Sequence, residues 1–417
     1  MSAACLLPII QSLLFPRNLP GFGRNAWIYY FTFSDSHLRR IDGIFNAKHA
    51  ENNMYIYEQK KWPNFLWDSQ KLIGPLGEVR NLQGKIVGSM ESLGFELKNE
   101  AVLNTLTLDV LKSTEIEGEI FNQEQVRSSV ARRLGIETAG MVHSGRDVDG
   151  VVEMMFDATH NFRDKLTTDR LFGWHCALFP TGRSGIRKIT VGDWRHGTIG
   201  PMLVVSGAAG KEKIHFEAPE PSRIPKEMTR FLNWFNGPDT ADAVLKAGLA
   251  HLWFVTIHPF EDGNGRIARA LTDMLLARAD GISQRYYSMS SQILKERKAY
   301  YHQLETTQKG GLDVTDWMLW FMNCLYNSLR SSEETLANVF FKYHFWQENA
   351  SKIINKRQHI MLNKLLEGFK GKLTSTKWAK ITKCSGDSAL RDIQDLIKKG
   401  ILEKEPAGGR STGYRLM

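Results

Sequence analysis

Two apolar stretches with helical spacing flank one polar cluster. Apolar residues run almost unbroken from Ala241 to Ile257. Beyond the cluster, Ile267, Leu271, Met274 and Leu275 recur at spacings of three and four. The pattern predicts two buried helices, with the polar residues between them in a loop and at a helix start. Residues 54 to about 110 also read as helical, since Trp67, Leu72, Ile73, Leu76, Val79, Leu82, Ile86 and Met90 keep mostly the same spacing. Residues 121–150 end in Gly145-Arg-Asp-Val-Asp-Gly150, which reads as a linker. Thr167 is the predicted N-cap of a helix over Leu171 to Leu178, and Phe179 to Gly185 is a loop.

The period then changes. Ile189–Val191, Met202–Val205 and Ile214–Phe216 are short β-like runs separated by glycine-bearing turns. Pro219, Pro221 and Pro225 end this region before a helix from Lys226 to Phe235. Residues 312–346 are again amphipathic helix, predicted to bury Trp317, Trp320 and Phe321. The tail from about 357 reads as three helices, Ile360–Phe369, Ser375–Ile381 and Ser388–Lys399. The third turns Leu390, Ile393, Leu396 and Ile397 inward, and a β-wing through Tyr414 comes after it. Residues 1–53 carry no pattern that continues into the next domain, apart from a brief aromatic run from Trp27 to Phe33.

Composition narrows the function classes. A chain of 417 residues has room for two to four domains. Its net charge of +9 suits a polyphosphate or an acidic surface without establishing nucleic-acid binding. Cys5, Cys176, Cys324 and Cys384 are widely separated, which argues against a zinc site or a disulfide framework and for a reducing, cytoplasmic setting. Ala3 to Phe15 is apolar but short, is broken by Pro8 and lacks a basic lead. It is a poor signal peptide and too short to span a bilayer, so no membrane association is expected.

The central cluster is His258-Pro-Phe-Glu-Asp-Gly-Asn-Gly-Arg266, continued by Ile-Ala-Arg269. Gly263-Asn264-Gly265 lets the backbone take positive φ and turn N–H groups inward, forming a nest that opens on a helix N-terminus and attracts phosphate. Arg266 and Arg269 are three apart and share a helix face, so they can grip one polyphosphate. Asp262 stands beside the nest, where a carboxylate could hold Mg²⁺ bridging phosphate oxygens. His258 can act as a general base near neutral pH. Together these residues suit binding a nucleoside triphosphate and taking a proton from an attacking hydroxyl. His251, seven residues upstream on roughly the same face, is better explained by packing or a hydrogen bond than by a metal pair. The tyrosines at 286, 287, 300 and 301 read as aromatic packing, with lining of the nucleotide pocket as the alternative.

This stretch resembles the Fic family, whose motif is His-x-Phe-x-(Asp/Glu)-Gly-Asn-Gly-Arg-x-x-Arg. His258, Phe260, Asp262, Gly263, Asn264, Gly265, Arg266 and Arg269 all match. The family variant that transfers phosphate has lysine in place of the second glycine. Gly265 stands there, so the resemblance implies nucleotidyl transfer. Upstream, Ser113, Glu117 and Gly118 match the family's inhibitory-helix pattern (Ser/Thr)-x-x-x-Glu-(Gly/Asn). In the family that glutamate pairs with the second arginine, here Arg269, and blocks the γ-phosphate position. A polar helix end with Gly118 as its C-cap is the plainer alternative.

The resemblance implies a mainly α-helical fold. Its expected parts are an N-terminal helical domain over 54–150, with the inhibitory helix around 113–118, and a Fic helical core over 151–335, with a small β-hairpin flap over the active site. A hairpin edge could register an extended target segment by backbone pairing. The C-terminal module, 357–417, is similar to winged helix-turn-helix domains. Its third helix would be the recognition helix, but Arg391 and Lys398 are mixed there with Asp392 and Asp395, which leaves DNA binding and protein docking open. The chain from Met54 looks like the start of related bacterial proteins. Residues 1–53 are therefore expected to be a translated upstream extension, non-native or without fixed structure.

The implied reaction transfers AMP from ATP, with Mg²⁺, to a Ser, Thr or Tyr hydroxyl of a protein. His258 would act as base, Asp262 would hold the metal, and Gly263, Asn264, Gly265, Arg266 and Arg269 would hold the phosphates. Self-modification and a homodimer stay open. Two other readings stand beside it: a DNA-binding regulator whose core senses nucleotide, and a hydrolase in which Glu117 positions water to remove AMP.

Overall fold

A computed structural model of the protein describes residues 27–31, 54–91, 94–136, 142–197, 202–206, 213–238, 241–352, 354–366, 369, 371–406 and 412–417. It divides into two units, one formed by residues 1–81 and 103–328, the other by 82–102 and 329–417. Among the described residues, helices dominate and three small antiparallel sheets accompany them.

The helical reading that starts at residue 54 is corrected over its first turns. Only Ile56–Glu58 forms a 3₁₀ turn, and α1 begins at Ser69 (Ser69–Glu91). Pro63 disfavours helical backbone at Trp62. Leu66 instead exchanges main-chain hydrogen bonds with residues 312 and 314. In α1, Leu72, Val79, Leu82, Ile86 and Met90 are buried, while Ile73 faces outward. Helix α2 (Phe95–Ile116) stops where Gly118 takes φ +88°. Helix α3 (Gln123–Leu134) is closed by the Asn122 side chain at one end and left-handed Gly135 at the other.

Gly145–Gly150 is not a linker. It is the N-cap and first turn of α4 (Arg146–His160), with Asp147 and Asp149 at the positive end of the helix. Gly150 is there for close packing. A Cβ on it would lie 1.8 Å from the Ala177 carbonyl oxygen in α5 (Thr168–Leu178), so α4 and α5 touch backbone to backbone. Thr167 caps α5 through Arg170 N, as the sequence predicts.

The β-rich region also differs in detail. Ile189–Val191 is not a strand. Arg183–Ser184 (β2) and Arg187–Lys188 (β3) form a short ribbon inside and just after the expected loop. Thr190 instead gives both its N–H and its hydroxyl to the Glu261 carboxylate. Leu203–Ser206 (β4) and Lys213–Glu217 (β5) form the hairpin, with Val204 opposite Phe216. On its other edge β4 pairs antiparallel with Trp27–Phe31 (β1), with Tyr30 opposite Val204. The expected extension over 1–53 otherwise lies outside the described residues.

Helix α6 (Ile224–Asn236) leads to the central pair, α7 (Ala243–Ile257) and α8 (Asn264–Asp280). Every residue of α7 from Val244 to Ile257 is buried, as expected for a helix that is apolar all round. Asp242 caps it and also accepts a bidentate pair from Arg80. Next come Met289–Lys295 (α9) and Arg297–Gln308 (α10), then α11 (Thr315–Glu348), which buries Trp317 and Phe321 and half-buries Trp320.

In the second unit, α12 (Lys356–Leu366), α13 (Ser375–Thr382) and α14 (Gly386–Lys398) precede a hairpin of Leu402–Lys404 (β6) and Tyr414–Leu416 (β7). Their shared core holds Met361, Leu362, Trp378, Ala389, Ile393 and Leu396. The expectation for Leu390 is corrected. It is 39% exposed, because the inward stripe of α14 runs through Ala389, Ile393 and Leu396.

Candidate active site

The polar loop is closed at both ends by left-handed residues. His258 ends α7 at φ +53° and Gly263 precedes α8 at φ +81°. A Cβ at Gly263 would meet the Phe179 ring at 2.9 Å, so both backbone angle and space require glycine. The Asn264 side chain clamps the loop from within, its Oδ1 accepting from Phe260 N and its Nδ2 donating to Phe260 O. The Asn264 side chain thus braces the loop that carries the cradle.

Both arginines of the motif, Arg266 and Arg269, are buried and face carboxylates. Arg269 Nε donates to Ser113 Oγ (2.8 Å), and its Nη2 donates to Ser113 O (2.9 Å) and Glu117 Oε1 (2.8 Å). Arg266 Nη1 donates to Glu119 Oε2 at 2.8 Å, and its guanidinium lies over the Phe179 ring. Left-handed Gly118 makes this double contact by turning the chain between the two glutamates, and Glu119 N returns to Thr114 O. No motif in the sequence marks Glu119. Burial raises its pKa, opposed by Arg266. Arg266 Nε and Arg269 Nη1 are buried without a hydrogen-bond partner among the described residues. A Cβ on Gly265 would lie 2.2 Å from Glu117 Oε1 and 3.2 Å from Arg269 Nη1. The loop thus holds a cradle with unsatisfied donors, which fits an anionic group.

Asp262 sits at the rim. Its Oδ2 accepts from Ser184 Oγ and its Oδ1 from Gly263 N. No cluster of three or more metal-ligating side chains occurs among the described residues. A lone carboxylate beside an anion cradle still fits Mg²⁺, which usually takes one or two carboxylates and fills its shell with phosphate oxygens and water.

His258 is buried, and its carbonyl accepts from Arg195 Nε at 2.8 Å. Arg195 N also donates to Pro259 O, which pins the loop from behind. Burial, then the Arg195 charge, lowers the His258 pKa to about 4. Burial likewise lowers His175, which contacts Asp262 O, to about 4. His251 is lowered to about 3 by burial and the Arg269 charge, and it hydrogen-bonds Thr272 and Tyr300. Each of these three histidines is neutral when folded and titrates near 6.5 when unfolded. Their stabilisation is therefore complete above about pH 6.5 and lost as pH falls toward 4. The protein should melt markedly lower at pH 5 than at pH 7, by roughly 1–2 kcal/mol for each histidine, in thermal unfolding measured at both values. An unchanged midpoint would overturn this.

The hairpin covers the site. Val204, Phe216, Tyr301, Glu117, His258 and Gly265 line a pocket beneath it. His215 ties the hairpin to α10 and the two strands of the hairpin to each other. His215 Nδ1 pairs with Glu305 Oε2 and His215 Nε2 with Ser206 Oγ, both at 2.6 Å. Burial would raise the Glu305 pKa, but hydrogen bonds from Lys309 and His215 outweigh it and lower it to about 2. His215→Ala should cost about 2 kcal/mol and speed hydrogen exchange of the β4 and β5 amides. Unchanged exchange would show that these ties do not hold the hairpin. Behind the site, fully buried Arg285 pairs with Asp273 (3.0 Å), and Ser288 Oγ donates to Asp109 of α2, bracing the helix that carries Ser113.

Residues 55–136 match a domain of unknown function (DUF4172), and residues 165–276 match the Fic/DOC family. A probable protein adenylyltransferase of Aquifex aeolicus is 27% identical over 124 residues, covering 30% of this chain and 36% of that one. The protein adenylyltransferase Fic of Drosophila sechellia is 34% identical over 113 residues, covering 27% and 21%. The matches thus span only about a third and a fifth of those relatives. In fold, the chain is similar to a Fic family protein from Desulfovibrio desulfuricans (TM-score 0.51, 19% identity), over 83% of this chain and 96% of that one. No helix among the described residues is long and apolar enough to cross a membrane. With the fold, the 258–269 loop and the family match in agreement, the chain is a Fic-domain protein.

Proposed function

We propose that this protein is an adenylyltransferase that moves AMP from ATP to a protein hydroxyl, and that Glu117 restrains it. The observation that carries this reading is the neutral imidazole of His258 beside an anion cradle whose two buried arginines lie one helical turn apart. The names of the relatives support the same chemistry.

In this reading the N–H groups of the 263–265 turn and the guanidiniums of Arg266 and Arg269 bind the triphosphate. Asp262 would hold Mg²⁺, which neutralises phosphate charge when bound. His258 Nε2 takes the proton of the target hydroxyl as its oxygen attacks the α-phosphorus in line. The bond to the β-phosphate breaks and pyrophosphate leaves. Catalysis here is positioning and charge stabilisation. Arg195 holds the His258 main chain, and the Asn264 clamp holds the loop, so the base and the cradle stay in register.

The Glu117 carboxylate bonds the same Arg269 that would grip the γ-phosphate. A triphosphate in productive register must displace it, and Glu119 on Arg266 adds a second contact to remove. The test is incubation with ATP labelled at the α-phosphate, comparing the native chain, Glu117→Gly, and Glu117→Gly with His258→Ala. Label on protein in the second and none in the third is expected. No label in any of them, with ATP still bound, would overturn transfer in favour of nucleotide sensing.

A further inference from the structure

The charge of this chain is concentrated at one end. Residues 354–417 hold fourteen Lys and Arg against six Asp and Glu, a net +8 of the chain's +9. The sequence alone mixes acids into the third helix of this module, but the structure buries one of them, Asp392, and pairs another, Asp395, with neighbouring side chains. Asp392 is 5% exposed and is held by Arg357 (2.8 and 3.0 Å) and Asn355 (2.8 Å). Asp395 accepts from Gln358 Nε2 and Lys399 Nζ. The exposed polar side chains of α14 are Asp387, Arg391, Gln394 and Lys398, at spacings of four, three and four.

Helix α13, just before it, exposes Lys377 and Lys380, and exposed Lys383 follows at its C-cap, at sequence spacings of three. The two helices meet through a tight turn, with left-handed Lys383 ending α13 and Ser385 capping α14. Trp378, Ala389, Ile393 and Leu396 lock the pair together from the inner side. The β6–β7 hairpin extends beside them, with Lys404 exposed.

We infer that the 354–417 module binds double-stranded DNA, with α14 in the major groove and the lysines of α13 on the phosphates. The chemistry is specific to that partner. A row of lysines three apart suits a charged backbone. Arg391, Gln394 and Asp387 are the side-chain types that read guanine, adenine and cytosine edges in the major groove. A membrane surface would call for an apolar stripe, and α14 exposes only Leu390 there. The cap, turn and packed second helix hold α14 as helix-turn-helix proteins hold a reading helix.

The test is fluorescence anisotropy of the full-length protein with a labelled mixed-sequence duplex. Saturable binding is expected at 50 mM salt, weakening about 100-fold by 200 mM, as for roughly four phosphate contacts. Lys380→Glu with Lys383→Glu should abolish it without moving the melting temperature. Lys60→Glu with Lys61→Glu, which changes net charge equally at exposed positions of the other unit, should leave it intact. Arg391→Ala with Gln394→Ala should keep salt-sensitive binding but flatten preference among duplex sequences. Absence of binding at 50 mM salt, equal loss in both lysine pairs, or binding to single-stranded RNA or polyglutamate as tight as to duplex would each overturn the inference. None of these outcomes depends on adenylyl transfer.

Discussion

Glu117→Gly should raise adenylyl transfer by about 100-fold over the native chain. Removing a competitor worth about 3 kcal/mol at a buried ion pair corresponds to that factor. The cause is local. Arg269 is 2% exposed, and in the free protein Glu117 is the carboxylate that meets it. Without Glu117, a triphosphate meets a guanidinium whose desolvation is already in place. The same substitution leaves that charge buried without its carboxylate, so the variant should melt below the native protein without nucleotide and regain most of the difference when saturated with ATP. Radiolabel incorporation and thermal unfolding, each with and without ATP, check both halves. A variant that melts lower yet transfers no faster would make Glu117 a structural partner of Arg269 and nothing more.

His258→Ala in the Glu117→Gly background should lower the rate of transfer roughly a thousandfold, with ATP affinity changed by no more than about twofold. The imidazole is the proton acceptor in the proposed step, and the phosphates are held by other groups. With its pKa lowered to about 4, His258 is neutral throughout pH 6–8, so its ionisation should not shape the rate there. Single-turnover rates and nucleotide titration separate the two effects. Retained transfer would move the base to another residue, and lost ATP binding would mean that the loop had collapsed.

Much of the site was legible because its parts are close in the chain. His258 to Arg269 occupy two helix ends and the loop between them, and an apolar run on each side fixes where those ends fall. Ser113 and Glu117 were legible only through a family pattern, for nothing in their spacing says which arginine they reach. Glu119 carried no signal, because its meeting with Arg266 depends on the turn at Gly118. The tie from Ser206 through His215 to Glu305 joins residues about 90 apart, and local periodicity holds no trace of such a contact. Gly150 misled for a physical reason. Glycine permits turns, but it also permits two helices to touch, and a sequence does not separate these uses. In α14 the opposite happened. Asp392 and Asp395 have the look of surface charge in the sequence, and only the fold sets Arg357 and Gln358 against them.

The pairing of Trp27–Phe31 with β4 has a consequence for molecular competition. An extended segment of another protein that docks on that edge of the hairpin must displace a strand of the same chain. Because the resident strand is tethered, its effective concentration is on the order of millimolar. A visiting segment therefore needs contacts beyond main-chain hydrogen bonds, so side-chain fit against the pocket decides which visitors succeed.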